Sequence, residues 1–305
     1  MIRSETVTAG PLSFHCLTAG SRARPLLLFL HGFPEYSGAW EEMLARLSDR
    51  FFCVAPDQRG YGRSSKPPAV QDYAAGKLAE DAAAILTHFA PRARAVIGHD
   101  WGASVAYVLA FKHPELMERL VIMNGAHPIP FQRALAAGGP QSAASQYFHY
   151  LRNETAEARL SANGFAGLAR LFAEGMNLDW LTGARRAAYQ AAWEAPGALT
   201  GMLNWYRATP FQVADPGAPL AESDLVAFDP ERLRVRPPHL LIWGMKDRAL
   251  LPEATAGLES HCDALTRAEI DDADHWLHHQ KPDEVAALIA GFCAEEVAGG
   301  ALNPH

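Results

Sequence analysis

Cysteine is scarce and scattered in this sequence. Cys16, Cys53, Cys262 and Cys293 are the four, and no two of them stand at C-x-x-C or any other metal-binding spacing. A disulfide framework and a zinc site are therefore not expected, and the four read as small buried apolar side chains in a reducing compartment. Long hydrophobic runs are lacking as well. Near the N-terminus the longest, Pro25 to Leu30, is far too short to cross a bilayer, and the opening MIRSETVTAG lacks the charged-then-apolar order of a secretion signal. The expected location is the cytoplasm, with no membrane partner. Positive charge is also in deficit: 27 Lys and Arg face 34 Asp and Glu, for a net charge of −7, and no long basic run offsets it. A nucleic-acid partner, which is gripped through clustered cations, is not expected.

What the chain does have is core material. Of its 305 residues, 49% are apolar and 20% charged, enough for one large α/β unit that stays in solution. Ser4–Val7 and Leu12–Leu17 read as a hairpin around Gly10 and Pro11. Leu26–Leu30, Phe51–Ala55, Ala95–Gly98, Leu120–Met123, Leu240–Trp243 and Leu265–Ile270 read as further strands. Apart from the last they are short unbroken apolar runs, which suits strands buried on both faces of a parallel sheet. Between them Trp40–Leu47, Tyr73–Phe89, Ala103–Phe111 and Val285–Cys293 carry the i, i+3, i+4 spacing of amphipathic helices. This alternation predicts a mostly parallel, doubly wound sheet. From 128 to 227 the rhythm breaks into a strand-free stretch rich in Ala, aromatics and helix formers. We read it as a helical cap inserted between two core segments, 1–127 and 228–305, with Asp215–Pro219 and Asp229–Pro230 as its exit and Gly300–His305 as a loose tail.

Gly98-His99-Asp100-Trp101-Gly102 joins an apolar run to a helical pattern, the setting of a strand-to-helix turn that presents its central side chain at a helix N-terminus. The central residue is an aspartate. A carboxylate that attacks saturated carbon leaves an alkyl ester, which activated water can cleave, whereas a serine would leave an inert ether. Asp100 as nucleophile therefore points to epoxides or alkyl halides. The base that activates the water is read as His275, in Asp274-His275-Trp276, and its orienting acid as Asp247, just past a buried strand. Asp271, Asp272 and Asp274 lie too close along the chain to wrap round to the ring, and Asn124, at the comparable place after the preceding strand, carries no charge. His278 and His279 lack an accompanying acidic motif and read as surface histidines, so no metal is expected. The backbone N–H groups of Phe33 and Trp101 are the expected oxyanion donors, and Pro34 is the expected site of a cis bond.

Taken together, His31–Glu35, Asp57–Ser64, Gly98–Gly102, Asn124–Pro128, Leu203–Arg207 and Asp274–Trp276 make the chain resemble the epoxide hydrolases of the α/β-hydrolase superfamily, relatives of the haloalkane and haloacetate dehalogenases. The resemblance covers nearly the whole length and implies the α/β-hydrolase fold with a helical cap and no cofactor. Asp57–Ser64 is common to the wider superfamily and reads as a loop-shaping segment. Epoxide opening releases an alkoxide, which needs a proton, and a phenol can donate it. The resemblance assigns that task to Tyr206 in Leu203–Arg207 and to a second cap tyrosine in Gln146–Tyr150, either Tyr147, which we favour, or Tyr150. Phe33, Trp101, Phe148, His149 and Trp205 are the expected substrate contacts. The partner is then a small apolar epoxide or, as the alternative, an organohalide. Against the halide reading, Trp101 and Ser104 stand where haloacetate dehalogenases carry arginines, and Phe33 where haloalkane dehalogenases carry a polar residue. A non-catalytic hydrolase-fold scaffold is a third reading, opposed by the intact Asp100, Asp247 and His275 set. A homodimer is left open.

Overall fold

The computed structural model describes residues 1–294; the expected tail at 300–305 lies outside them. Eight strands form one sheet in the order β1-β2-β4-β3-β5-β6-β7-β8. The antiparallel hairpin β1 (Arg3–Ala9) and β2 (Leu12–Ala19) turns at Gly10, whose φ of 56° favours glycine, and β2 pairs antiparallel with β4 (Phe52–Pro56). Every pairing beyond β4 is parallel, through β3 (Leu26–Leu30), β5 (Ala95–His99), β6 (Leu120–Met123), β7 (His239–Gly244) and β8 (Leu265–Ile270). β3 to β7 are buried end to end, as their unbroken apolar runs require, whereas β8, at the sheet edge, is largely open to solvent.

Helices cover both faces. Leu27, Phe29, Ile97, Val121 and Ile242 point to one side, against α1 (Glu41–Leu47) and the C-terminal helix. Leu26, Leu28, Leu30, Val96 and Ile122 point to the other, against α2 (Ala75–Phe89) and α3 (Trp101–Lys112). The alternation along each strand sorts the two cores.

The order β4-β3-β5 reverses the direction in which the sheet grows, so a crevice opens beyond the carboxyl ends of β3 and β5, where ligands of open α/β sheets bind. Between β6 and β7 the chain leaves the sheet and forms α4 (Pro128–Ala136), α5 (Pro140–Ala144), α6 (Tyr147–Arg152), α7 (Ala156–Ala173), α8 (Gly183–Glu194) and α9 (Ala198–Ala208), with no strand of the sheet among them. These helices rest on that crevice. The Trp193 indole donates to the Pro34 carbonyl at 2.6 Å, the Trp205 indole to the Arg59 carbonyl at 3.0 Å, and the Tyr189 hydroxyl to Glu35 at 2.8 Å. All three acceptors belong to segments leaving β3 and β4. After β8 the described residues end in α10 (Leu277–Gln280) and α11 (Pro282–Ala294). Asp57 caps the loop after β4 by accepting the Ser37 and Arg63 N–H groups, each at 2.8 Å, and the four cysteines are buried and unpaired. No helix among the described residues is long and apolar enough to cross a membrane.

Candidate active site

β5 ends at His99 and α3 starts at Trp101, so a single residue makes the turn. Asp100 makes it at φ 51° and ψ −120°, a backbone state a non-glycine residue holds only when its surroundings impose it, at a cost of about 1–3 kcal/mol. The surroundings are glycines at close approach. A Cβ on Gly102 would lie 2.0 Å from the Leu30 carbonyl oxygen, and one on Gly32 would lie 2.3 Å from the Cβ of Asp100. Loop, strand and helix therefore press together with backbone alone between them. The peptide bond between Phe33 and Pro34 is cis, as anticipated, and turns the β3 loop over the elbow.

The two oxygens of Asp100 have different neighbours. Oδ1 accepts the Phe33 N–H at 2.7 Å, and the Trp101 N–H also bonds the carboxylate. Oδ2 lies 3.7 Å from His275 Nε2. Burial pushes the carboxyl up from its ordinary value, while the imidazoles of His275 and His99 and the two N–H groups pull it down.

His275, in the turn between β8 and α10, is held through Nδ1 by Asp247 Oδ2 at 2.7 Å. Asp247, just past β7, is buried, and burial alone would raise its carboxyl. His275, the Leu250 N–H and Asn124 more than offset that and hold it below the usual carboxylate range. Its Oδ1 accepts the N–H groups of Ala249 and Leu250 at 2.7 and 3.0 Å, and its Oδ2 also accepts Asn124 Nδ2 at 2.6 Å. Burial pulls the His275 ring down, but Asp247, Asp100 and Glu35 outweigh it and raise it to about 9. Asp274 faces elsewhere, accepting from the N–H groups of Asn177 and Trp276. Asn124, weighed from the sequence against Asp247 as the acid, instead clamps it, and also receives the Gly244 N–H at 2.7 Å.

A cavity of about 530 Å³ opens over Asp100 and His275. Tyr206 of α9 and Tyr147 of α6 line it from the side of the helices between β6 and β7, with ring centroids 6.1 Å apart. Burial first keeps both phenols protonated well above their ordinary range, with Asp100 next for Tyr147, and Tyr147 and then Asp100 for Tyr206. Tyr150 lines a separate outer groove. Phe33 lines the cavity, but the other expected contacts lie outside it. Trp101 and Trp205 line a small apolar pocket on the far side, and the Trp101 indole bonds the Tyr206 hydroxyl. Phe148 is buried behind Trp101 and Tyr206, and His149 is exposed on α6. The apolar wall is made instead by Leu171, Phe172 and Met176, which no motif announced, and by Trp276 beside the catalytic histidine.

The expectation for His278 and His279 fails. Both are buried, in α10 under the active site. Their acidic partner is Glu35, distant in sequence: its Oε1 accepts from His279 Nε2 and the Tyr189 hydroxyl, each at 2.8 Å. Its Oε2 lies 3.3 Å from His99 Nδ1 and 3.5 Å from His278 Nε2. Among the described residues Glu35, His99 and His278 form the one cluster with the spacing of metal ligands. His99 Nε2 donates to the His275 carbonyl at 2.8 Å, and its Nδ1 faces the Glu35 carboxylate.

Comparison with known proteins follows the same line. The family model described as alpha/beta hydrolase fold matches residues 25–282. A Bacillus subtilis protein named AB hydrolase superfamily protein YfhM is 34% identical over 95% of this chain and 98% of its own. Human epoxide hydrolase 4 is 31% identical over 93% of this chain and 76% of its own. Among solved structures, one described as belonging to novel epoxide hydrolases of the alpha/beta hydrolases superfamily from hot-environment metagenomes superposes with a TM-score of 0.89. It is 33% identical, over 97% of this chain and all of that one. An epoxide hydrolase of Bacillus megaterium in complex with an inhibitor superposes with a TM-score of 0.86, at 29% identity over 95% of this chain and all of that one.

Proposed function

Since this chain belongs to the epoxide-hydrolase branch of the α/β-hydrolase superfamily and is a hydrolase, we propose that it opens epoxides to vicinal diols through an ester on Asp100. The observation that carries the reading is the division of labour between the two oxygens of Asp100. Oδ1 accepts the Phe33 N–H, while Oδ2 is the oxygen that faces His275.

Oδ2 attacks the less hindered ring carbon and the C–O bond breaks. The departing oxygen takes a proton from Tyr147 or Tyr206, neutral phenols at any pH near 7. Oδ1 is then the ester carbonyl oxygen, already in its donor site. His275, steadied by Asp247, takes a proton from water as the water attacks Cγ. The oxyanion forms on Oδ1 against the N–H groups of Phe33 and Trp101. Collapse releases the diol and restores the carboxylate.

The order of charges favours this sequence. In the free enzyme the Asp100 anion helps hold His275 protonated, with its ring near 9. Esterification removes that anion, so the ring pKa falls, the ring proton passes through solvent to the tyrosinate left by ring opening, and a neutral base is present when water must be activated. The halide alternative has less support: Phe33 brings no side-chain donor, and the Trp101 indole N–H is turned to Tyr206 and away from the cavity.

Replacing His275 by Gln should leave alkylation intact and block hydrolysis. Mixed with styrene oxide, H275Q should gain the mass of one substrate on the peptide containing Asp100. An unmodified peptide alongside consumed epoxide would count against the ester.

A further inference from the structure

Beneath the catalytic pair lies a second cluster of side chains that takes no step in the ester route. Glu35 follows the cis turn after β3, His99 ends β5 one residue before Asp100, and His278 lies in α10. All three side chains are 0% exposed, and none of them lines the cavity. Glu35 Oε2, His99 Nδ1 and both ring nitrogens of His278 are buried and make no directed hydrogen bond. Buried polar atoms are nearly always partnered, and an orphaned group marks a place for a water or an ion.

The orphaned atoms are spaced as ligands. Around a tetrahedral zinc ion with bonds of about 2.0–2.1 Å, neighbouring donors stand about 3.3–3.4 Å apart. Glu35 Oε2 lies 3.3 Å from His99 Nδ1 and 3.5 Å from His278 Nε2, and the donors of the three residues all fall within 4.8 Å of one another. Two imidazoles and a carboxylate are a donor set that suits zinc. Each of two ligands is also held from behind, as metal ligands are. His99 Nε2 donates to the His275 carbonyl at 2.8 Å, which leaves the ring lone pair on Nδ1. Glu35 Oε1 accepts from the Tyr189 hydroxyl and from His279 Nε2, each at 2.8 Å, while Oε2 faces the other two rings. Among the described residues no Lys or Arg pairs with Glu35, whose ion-pair contacts are all histidines. A cation placed there neutralises a carboxylate where uncompensated charge is costly.

We propose that Glu35, His99 and His278 form a structural zinc site, completed by a water, that ties the β3 loop, the end of β5 and α10 together beneath the active site. The ion binds the carboxylate and two neutral imidazoles and displaces any proton held between them. The site stands apart from the epoxide reading and survives or fails without it. Because the three donors are enclosed, the ion is taken up as the chain folds.

The test uses the full chain without an affinity tag, unfolded in denaturant with a chelator, freed of the chelator, and refolded by dilution with or without zinc. After desalting, metal analysis should find about one zinc per chain, and the thermal midpoint should lie about 5 °C or more above that of protein refolded without metal. Glu35→Gln and His278→Gln should each hold less than about 0.1 zinc per chain and show no such rise. His88→Gln, at an exposed position of α2, should match the wild type. Cobalt in place of zinc gives a readout on the wild type that needs no variant to fold. It should show the visible bands of a tetrahedral nitrogen-and-oxygen site without a thiolate charge-transfer band, since no cysteine belongs to the cluster. A refolded wild type holding less than about 0.1 zinc per chain, zinc retained by both Gln variants, or a thiolate band overturns the proposal.

Discussion

Asp100 and His275 share one electrostatic problem, and its solution can be tested by titration. Burial disfavours the charged form of each, yet the ring of His275 is raised to about 9 because Asp247 and Asp100 face it. The Asp100→Asn variant removes one of those anions. Its His275 should titrate below 9, followed by the ring-proton resonances. An unchanged pKa would mean that the two groups do not interact across 3.7 Å. The sign for stability follows from linkage. A ring raised from 6.5 to about 9 contributes stability that is full below 6.5 and is lost as pH rises through 9. The tyrosines offer a second residue-scale test. Tyr206→Phe and Tyr147→Phe should each lower the alkylation rate on the order of 10²-fold, and the double variant should be close to inactive. Substrate-burst kinetics separates this step from hydrolysis, and full alkylation by the double variant would remove the phenols from the mechanism.

At the scale of the elements, the strand-helix turn at Asp100 works because Gly32, Gly98 and Gly102 leave no room for side chains. Gly102→Ala puts a methyl 2.0 Å from the Leu30 carbonyl oxygen, so α3 must move. A loss of about 3 kcal/mol is expected, read by denaturant unfolding, together with loss of alkylation. Asn124 ties the end of β6 to that of β7 through Gly244 and to Asp247. Asn124→Ala should slow ester hydrolysis about 10-fold or more while alkylation proceeds, because it loosens the acid behind the base. The elbow was legible in the sequence because its signal is local: five residues beside an apolar run suffice to place it. The clamp by Asn124 was not, since it joins ends of neighbouring strands far apart in the chain. The pair His278–His279 was misread for the same reason. Polar residues side by side look solvent-facing until Glu35, at the other end of the chain, comes to lie on them. Trp101 illustrates a further gap. Its backbone place follows from the motif, but its indole points where the orientation of α3 directs it, away from the cavity.

For the whole molecule, the alternation of apolar runs and helical periods was enough to foresee a mostly parallel doubly wound sheet, because burial on both faces leaves strands no other pattern. The helical stretch between β6 and β7 was legible only as an absence of strands. Which of its aromatics face the cavity was not, as an apolar side chain carries no mark that separates lining from packing. Its seating on the core is specific: Trp193, Trp205 and Tyr189 each donate a hydrogen bond to segments leaving β3 and β4. Tyr189→Phe removes a donor from the buried Glu35 and should cost about 1–3 kcal/mol of stability. That loss should appear as a lower thermal midpoint. The claim on which the whole account depends is that an oxygen of the Asp100 carboxylate ends up in the product. Single turnover in ¹⁸O-labelled water with enzyme in excess measures it directly. The account predicts a first-formed diol with no label and an Asp100 peptide that gains it; a first diol carrying ¹⁸O, with the peptide unlabelled, would contradict it.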